Sequence, residues 1–171
     1  AGAQHAGRSL DDIDRVVAVG LDFTDDDPDA IAAAGRRHAD GYAFTFGAMG
    51  SSTKNFYNDA FARQGFGDDV AEVQRLWASG DRQAAAARVP IEIGLGTNLV
   101  GPPELVRARL VDYERSGVTT LRVGVQGSFD QKIADLETLL ALAADAGAAT
   151  AKNTMTSPTT APTTAPGGPT T

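Results

Sequence analysis

The sequence predicts an α/β fold built on parallel strands and rich in helix, and three observations carry that prediction. Arg15 to Phe23 (Arg-Val-Val-Ala-Val-Gly-Leu-Asp-Phe) is a mostly apolar run bounded by polar residues, the pattern of a strand buried on both faces. Val118 to Val125 reads as a second strand, with Leu121, Val123 and Val125 alternating. That second strand lies between two helical patterns, and a helix–strand–helix unit after an earlier buried strand implies strands side by side in parallel.

The elements follow in order. After the first strand, Asp25, Asp26, Asp27, Pro28 and Asp29 supply an N-cap, a proline for the first turn and carboxylates near the positive helix end. A single helix is expected from Asp29 to Ala48. Ser51, Ser52 and Thr53 stand as caps for the next segment, in which Phe56, Ala60 and Phe61 share a helical face and Gly65 and Gly67 interrupt it. Val70, Val73 and Trp77 mark a helix from Asp68 to Ala78, stopped by Gly80, and an Ala-rich helix from Arg82 to Arg88 ends before Pro90.

Ile91 to Asn98 contains Gly94 and Gly96, which cost about 2 kcal/mol of helix propensity relative to alanine. That segment is therefore expected to be extended or irregular, a flexible link. Gly101-Pro102-Pro103-Glu104 is a strong helix start, with Val106, Leu110 and Tyr113 as its apolar stripe and Gly117 as its stop. After the second strand, Asp130 is the expected cap of a last helix. Ile133, Leu136, Leu140 and Ala143 fall on one side of it, and Gly147 ends it. From about Lys152 Thr and Pro dominate and Ala-Pro-Thr-Thr recurs; such a segment buries too little surface to offset its ordering entropy. The organisation expected is one folded unit over residues 1–150 and a disordered tail over residues 151–171.

Composition removes several classes of function. The net charge of -7 argues against a nucleic-acid partner, which needs clustered Lys and Arg. The absence of cysteine excludes disulfides, zinc–cysteine sites and thiol catalysis. No apolar run approaches the roughly 20 residues of a membrane span, and the first residues lack a signal-peptide pattern. A cytoplasmic protein suits these features. The chain begins with Ala1, which a cleaved product and a segment of a longer reading frame explain equally well.

Four stretches together resemble the luciferase-like monooxygenase family, and within it the deazaflavin-dependent oxidoreductases. Ala6 to Asp12 (Ala-Gly-Arg-Ser-Leu-Asp-Asp) resembles the end of the helix before the seventh barrel strand. The stretch from Met49-Gly50 to Asn58-Asp59, with Lys54-Asn55-Phe56-Tyr57-Asn58, resembles the family's helical insertion. Leu99-Val100-Gly101-Pro102-Pro103-Glu104 resembles its turn into the seventh barrel helix, and Gly117 to Val123 its eighth strand. The resemblance implies a partial (β/α)8 TIM barrel: the last two strands and their helices, plus a helical insertion. It also implies a deazaflavin cofactor or, as the alternative, flavin mononucleotide (FMN), with hydride transfer or monooxygenation on a small organic substrate. A complete barrel takes about 250 residues, with about 200 near the lower limit. The portion matched here starts near the seventh strand, so the chain alone is expected to be inactive.

Barrel active sites lie at the C-terminal ends of strands, which makes Asp22, Phe23, Thr24, Gln126, Gly127 and Ser128 candidates, with ordinary turn residues as the weightier reading. Lys54 beside Asn55 at a helix start suits a phosphate or an acidic cofactor tail; a solvated lysine with a structural asparagine is the plainer alternative. Lys54, Asn55, Gln126 and Ser128 are thus the candidate cofactor-binding residues, and no catalytic residue stands out. Phe56, Tyr57, Phe61 and Phe66 read as core. The aspartates from Asp22 to Asp29 lack the glycine and terminal glutamate of a calcium loop and read as helix caps, so no metal site is expected. His5 and His38 read as surface residues. Leu99 stands where a dinucleotide fingerprint needs its third glycine, and no Gly-x-Ser-x-Gly elbow exists, so neither a nucleotide-binding loop nor a hydrolase is indicated. A non-catalytic helical module that pairs with itself or with a missing N-terminal half is the rival, because a partial barrel would expose the apolar faces of its strands.

Overall fold

A computed structural model describes residues 2–50 and 55–156, with side chains described up to 147. The element order is α1 (Gly2–His5), a 3-10 turn (Leu10–Asp12), β1 (Val16–Phe23), α2 (Pro28–Asp40), α3 (Tyr42–Ala48), α4 (Phe56–Phe61), a π-helical turn (Ala62–Phe66), α5 (Gly67–Ala78), α6 (Arg82–Arg88), α7 (Ile91–Thr97), β2 (Leu99–Gly101), α8 (Pro103–Arg115), β3 (Thr120–Val125) and α9 (Phe129–Thr156). The three strands form one parallel sheet in the order β2-β1-β3. Register runs from Val16 opposite Thr120 to Leu21 opposite Val125 on one side of β1, and from Leu21 opposite Leu99 to Phe23 opposite Gly101 on the other. The α/β class read from the sequence is therefore the observed one.

Two strands were expected, and three are present among the described residues. Leu99-Val100-Gly101, read as a turn into a helix, pairs with the upper half of β1, and its residues are buried. The segment before it is helical, not irregular. Gly94 and Gly96 do cost helix propensity, but Gly94 lets α7 lie directly on α2: a Cβ there would stand 2.2 Å from the Gly35 carbonyl oxygen. Tertiary packing outweighs propensity at this crossing.

Other boundaries moved for identifiable reasons. The helix expected over Asp29–Ala48 is two helices, α2 and α3, divided at Gly41, while Asp27 caps α2 by accepting from the Ala30 N–H at 2.9 Å. Ahead of β1, α1 stops at His5, and the stretch Ala6–Asp12 expected as a helix end holds the separate 3-10 turn instead. The proposed caps Ser51, Ser52 and Thr53 lie outside the described residues. At the last helix the Ser128 hydroxyl, rather than Asp130, accepts from the Gln131 N–H at 3.3 Å. Helix α9 also passes Gly147 and continues to Thr156, beyond the domain limit expected at residue 150. Residues 157–171 of the expected tail lie outside the described residues.

Apolar side chains gather in two clusters. One is helical: Ala39, Ala43, Phe46, Val70, Val73, Ala85, Val89 and Ile93, with Phe61, Phe66 and Trp77 packed against it. The other lies between the sheet and helices α8 and α9: Val19, Leu21, Leu99, Val106, Leu110, Leu139 and Ala146. The stripe Val106, Leu110 and Tyr113 of α8 faces this second core as the sequence indicated. On α9 the buried positions are Leu139 and Ala146, whereas Ile133 and Leu140 are exposed. The buried flank of α9 is thus rotated from the expected stripe, and Arg107 of α8 pairs with Asp145 of α9 at 2.7 Å.

Candidate cofactor site

The sheet has two different faces. Val19 and Leu21 are buried against α8 and α9, together with Leu121, Val123 and Val125. Alternation sends Val16, Ala18, Gly20, Asp22, Arg122 and Gly124 to the opposite face, where Val16, Ala18, Arg122 and Gly124 are exposed. The expectation that β1 is buried on both faces therefore fails for its lower half. The apolar sides of the strands are the covered ones, contrary to the premise of the association reading. The open face instead carries small and charged residues, with a depression of about 480 Å³ lined by Ala18, Gly20, Arg122 and Gly124 among others.

At the upper end of that face β1 presents Asp22. Arg37 of α2 donates to Asp22 Oδ2 from Nη2 at 2.7 Å and from Nε at 3.2 Å. His38, the next residue of α2, brings Nε2 within 3.7 Å of the same oxygen. Its ring rests on β1 at Gly20, where any Cβ would fall 2.5 Å from His38 Cε1. The expectation that His38 is a surface residue is overturned, since its side chain is only 16% exposed. Burial holds its pKa below the ordinary histidine value, and the Asp22 carboxylate opposes that shift in part. Spacing alone gave no signal for this arrangement; the glycine beneath the ring was the available clue. Asn98, also buried, closes the corner: its Oδ1 accepts from the Gly20 N–H at 2.7 Å and its Nδ2 donates to the Gly94 carbonyl at 2.9 Å.

Among the described residues, the sequence-predicted site residues Asn55, Gln126 and Ser128 are not brought together as one cluster. Asn55 is buried in the helical block, where it caps α4 by accepting from the N–H groups of Tyr57 and Asn58. Its Nδ2 donates to the carbonyls of Thr45 and Phe46, so its hydrogen-bonding capacity is spent on structure. Lys54 lies outside the described residues. Gln126 and Ser128 are exposed beyond the end of β3, on either side of Gly127, whose φ of 98° favours glycine. Phe23 and Thr24 border a depression of about 550 Å³ with Asp25, Arg37 and Pro103. Of the aromatic residues read as core, Phe61 and Phe66 pack there, but Phe56 is 75% exposed and Tyr57 41%.

A parallel sheet covered on one face by two helices, with polar residues gathered at its C-terminal rim, defines an α/β protein. The profile described as "Luciferase-like monooxygenase" matches residues 1–120. The chain belongs to that family. It is also 33% identical over 135 residues to the Mycobacterium tuberculosis protein named "Putative coenzyme F420-dependent oxidoreductase Rv3520c". The match covers 79% of this chain and 37% of the relative, so the chain spans little more than a third of that protein's length. No solved structure matches the chain. Among the described residues no helix is long and apolar enough to cross a membrane.

Proposed function

We propose that this chain is the C-terminal portion of a (β/α)8-barrel oxidoreductase that uses a deazaflavin, with FMN as the alternative, for hydride transfer or monooxygenation on a small organic substrate. In this reading β1 and β3 are the seventh and eighth staves, α8 and α9 are their helices, and α2 to α7 form an insertion. The observation that carries it is the two-sided sheet: parallel β1 and β3 are covered by α8 and α9 on one face and lined on the other by small and charged residues. The name of the mycobacterial relative supports the deazaflavin over FMN.

The residues present fit a flat heterocycle. Ala18 and Gly124 leave the open face without side-chain bulk below Gly20, which the His38 ring covers, and Arg122 offers a cation beside them. When bound, the cofactor would supply a two-electron hydride carrier, which no side chain of this chain can replace. The chain would contribute one wall of the site, with Gln126 and Ser128 on its rim. We expect the isolated chain to bind coenzyme F420 weakly, near a Kd of about 1 mM, or about -4 kcal/mol, and to show no turnover. Fluorescence titration with F420 and FMN and a hydride-transfer assay check both expectations. Robust turnover by the pure chain refutes the partial-barrel reading, and no binding of either compound refutes the cofactor wall.

A second reading, an association module, is favoured by one observation. Phe129, Ile133 and Leu140 of α9 are 77%, 42% and 69% exposed and recur at helical spacing on one flank. On this reading size-exclusion chromatography with light scattering gives a dimer or larger species. A cooperatively melting monomer counts against it.

A further inference from the structure

We propose that this chain pairs with a second copy of itself through α9, the two helices running antiparallel about a two-fold axis near Thr138. The inference rests on the association reading above and names its partner. The surface is a stripe along α9. Phe129, Ile133, Leu136, Leu140, Ala143 and Gly147 follow one another in alternate steps of four and three, the spacing of a seam between two helices. Leu136 is half-buried and the others are exposed. The flank that serves the chain's own core is a different one, marked by the buried Leu139 and Ala146. Asp145, which holds Arg107 of α8, lies about 160° round the helix from the middle of the stripe. Since α8 packs on β2 and α9 on β3, the flank turned away from α8 stands over the free edge of β3, the end strand of the sheet.

Residue size selects the orientation. The stripe tapers from Phe129 through Ile133 and two leucines to Ala143 and Gly147. In an antiparallel pair centred near Thr138, Phe129 meets Gly147 of the second copy, Ile133 meets Ala143, and Leu136 meets Leu140. Each layer then joins a large residue to a small one or two of middle size, which keeps the helix axes evenly spaced. A Cβ at Gly147 would meet nothing within 4 Å, so the ring has room there. A parallel pair would set Phe129 on Phe129 and Gly147 on Gly147, wedging one end apart and leaving a gap that forfeits contact. Charge points the other way. The parallel pair places Lys132 beside Glu137 of the second copy, whereas the antiparallel pair brings two Glu137 carboxylates together near the axis. Glu137 is exposed, and water and salt screen such charges, so packing decides.

Size-exclusion chromatography with light scattering, run on the full chain over a range of concentrations, is expected to show monomer passing to dimer. The two orientations give opposite signs for Glu137→Gln. An antiparallel dimer tightens about threefold as the repulsion goes, and a parallel one weakens as the attraction to Lys132 is lost. Because the chain has no cysteine, introduced thiols report the geometry directly. In the antiparallel pair, Phe129→Cys alone or Gly147→Cys alone leaves its two thiols about 27 Å apart along the axis, beyond the reach of a disulfide. Neither variant by itself is expected to cross-link on oxidation, and a mixture of the two is. Cross-linking of Phe129→Cys alone, a weakened Glu137→Gln dimer, or a dimer that cross-links in neither way overturns the antiparallel pairing and leaves the association reading standing. A monomer at every concentration overturns both and assigns the stripe to another occupant, such as a missing N-terminal half. The oxidoreductase reading depends on none of these results.

Discussion

Gly94→Ala is expected to lower the stability of the chain by about 3 kcal/mol, the upper part of the usual overpacking range. The reason is what the added methyl group meets. It would stand 2.2 Å from the Gly35 carbonyl oxygen and 2.7 Å from the Ala39 backbone nitrogen, and neither can rotate aside as a side-chain tip can. Helices α2 and α7 would have to separate, loosening Ala39 and Ile93 in the helical core. Gly96, two residues along the same helix, meets nothing within 4 Å. Gly96→Ala should therefore gain up to about 1 kcal/mol of helix propensity. Urea denaturation of the two variants checks the contrast, since shifts of equal sign would contradict the close crossing of α2 on α7.

Asn98→Ala is expected to cost about 2 kcal/mol, the range for leaving buried hydrogen-bonding groups without partners. Strand β2 pairs with β1 only from Leu21 onward, so the Gly20 N–H on that edge has no strand opposite it. The Asn98 side chain takes over: Oδ1 accepts from Gly20, while Nδ2 donates to the carbonyl of Gly94 and to Thr97 Oγ1 at 3.1 Å. One amide thus extends the ladder past the end of β2 and ties α7 to the sheet. Hydrogen exchange of the Gly20 amide should speed up in this variant along with the loss of global stability. An unchanged exchange rate at Gly20 would mean that the hydrogen bond contributes nothing there.

Part of the site was legible in advance and part was not. Strand ends became candidates because the resemblance to a barrel puts active sites at the C-terminal ends of strands, and Asp22 was among them. Gln126 and Ser128 do stand at the rim beyond β3, and Ser128 also starts α9. Asn55 had two readings, and its four hydrogen bonds within α3 and α4 are those of the structural asparagine. His38 was passed over because its sequence neighbours are polar and its decisive neighbour, Gly20, lies in another element. Phe56 and Tyr57 were placed in a core by helical spacing, yet spacing says which residues share a face and not whether another element covers it.

The sequence by itself determined the α/β class, the strands β1 and β3, the helices α5, α6 and α8 and an aspartate cap within Asp25–Asp29. These rest on periodicity, proline and capping side chains, all written within a few neighbouring residues. The tertiary structure alone decided that Ile91–Thr97 is a helix, that Leu99–Gly101 is a strand, which flank of α9 is buried, and that His38 sits on Gly20 beside Asp22. Each of those depends on contact between segments far apart in the chain, where a missing Cβ or an unpaired strand edge has meaning only once the partner is in place.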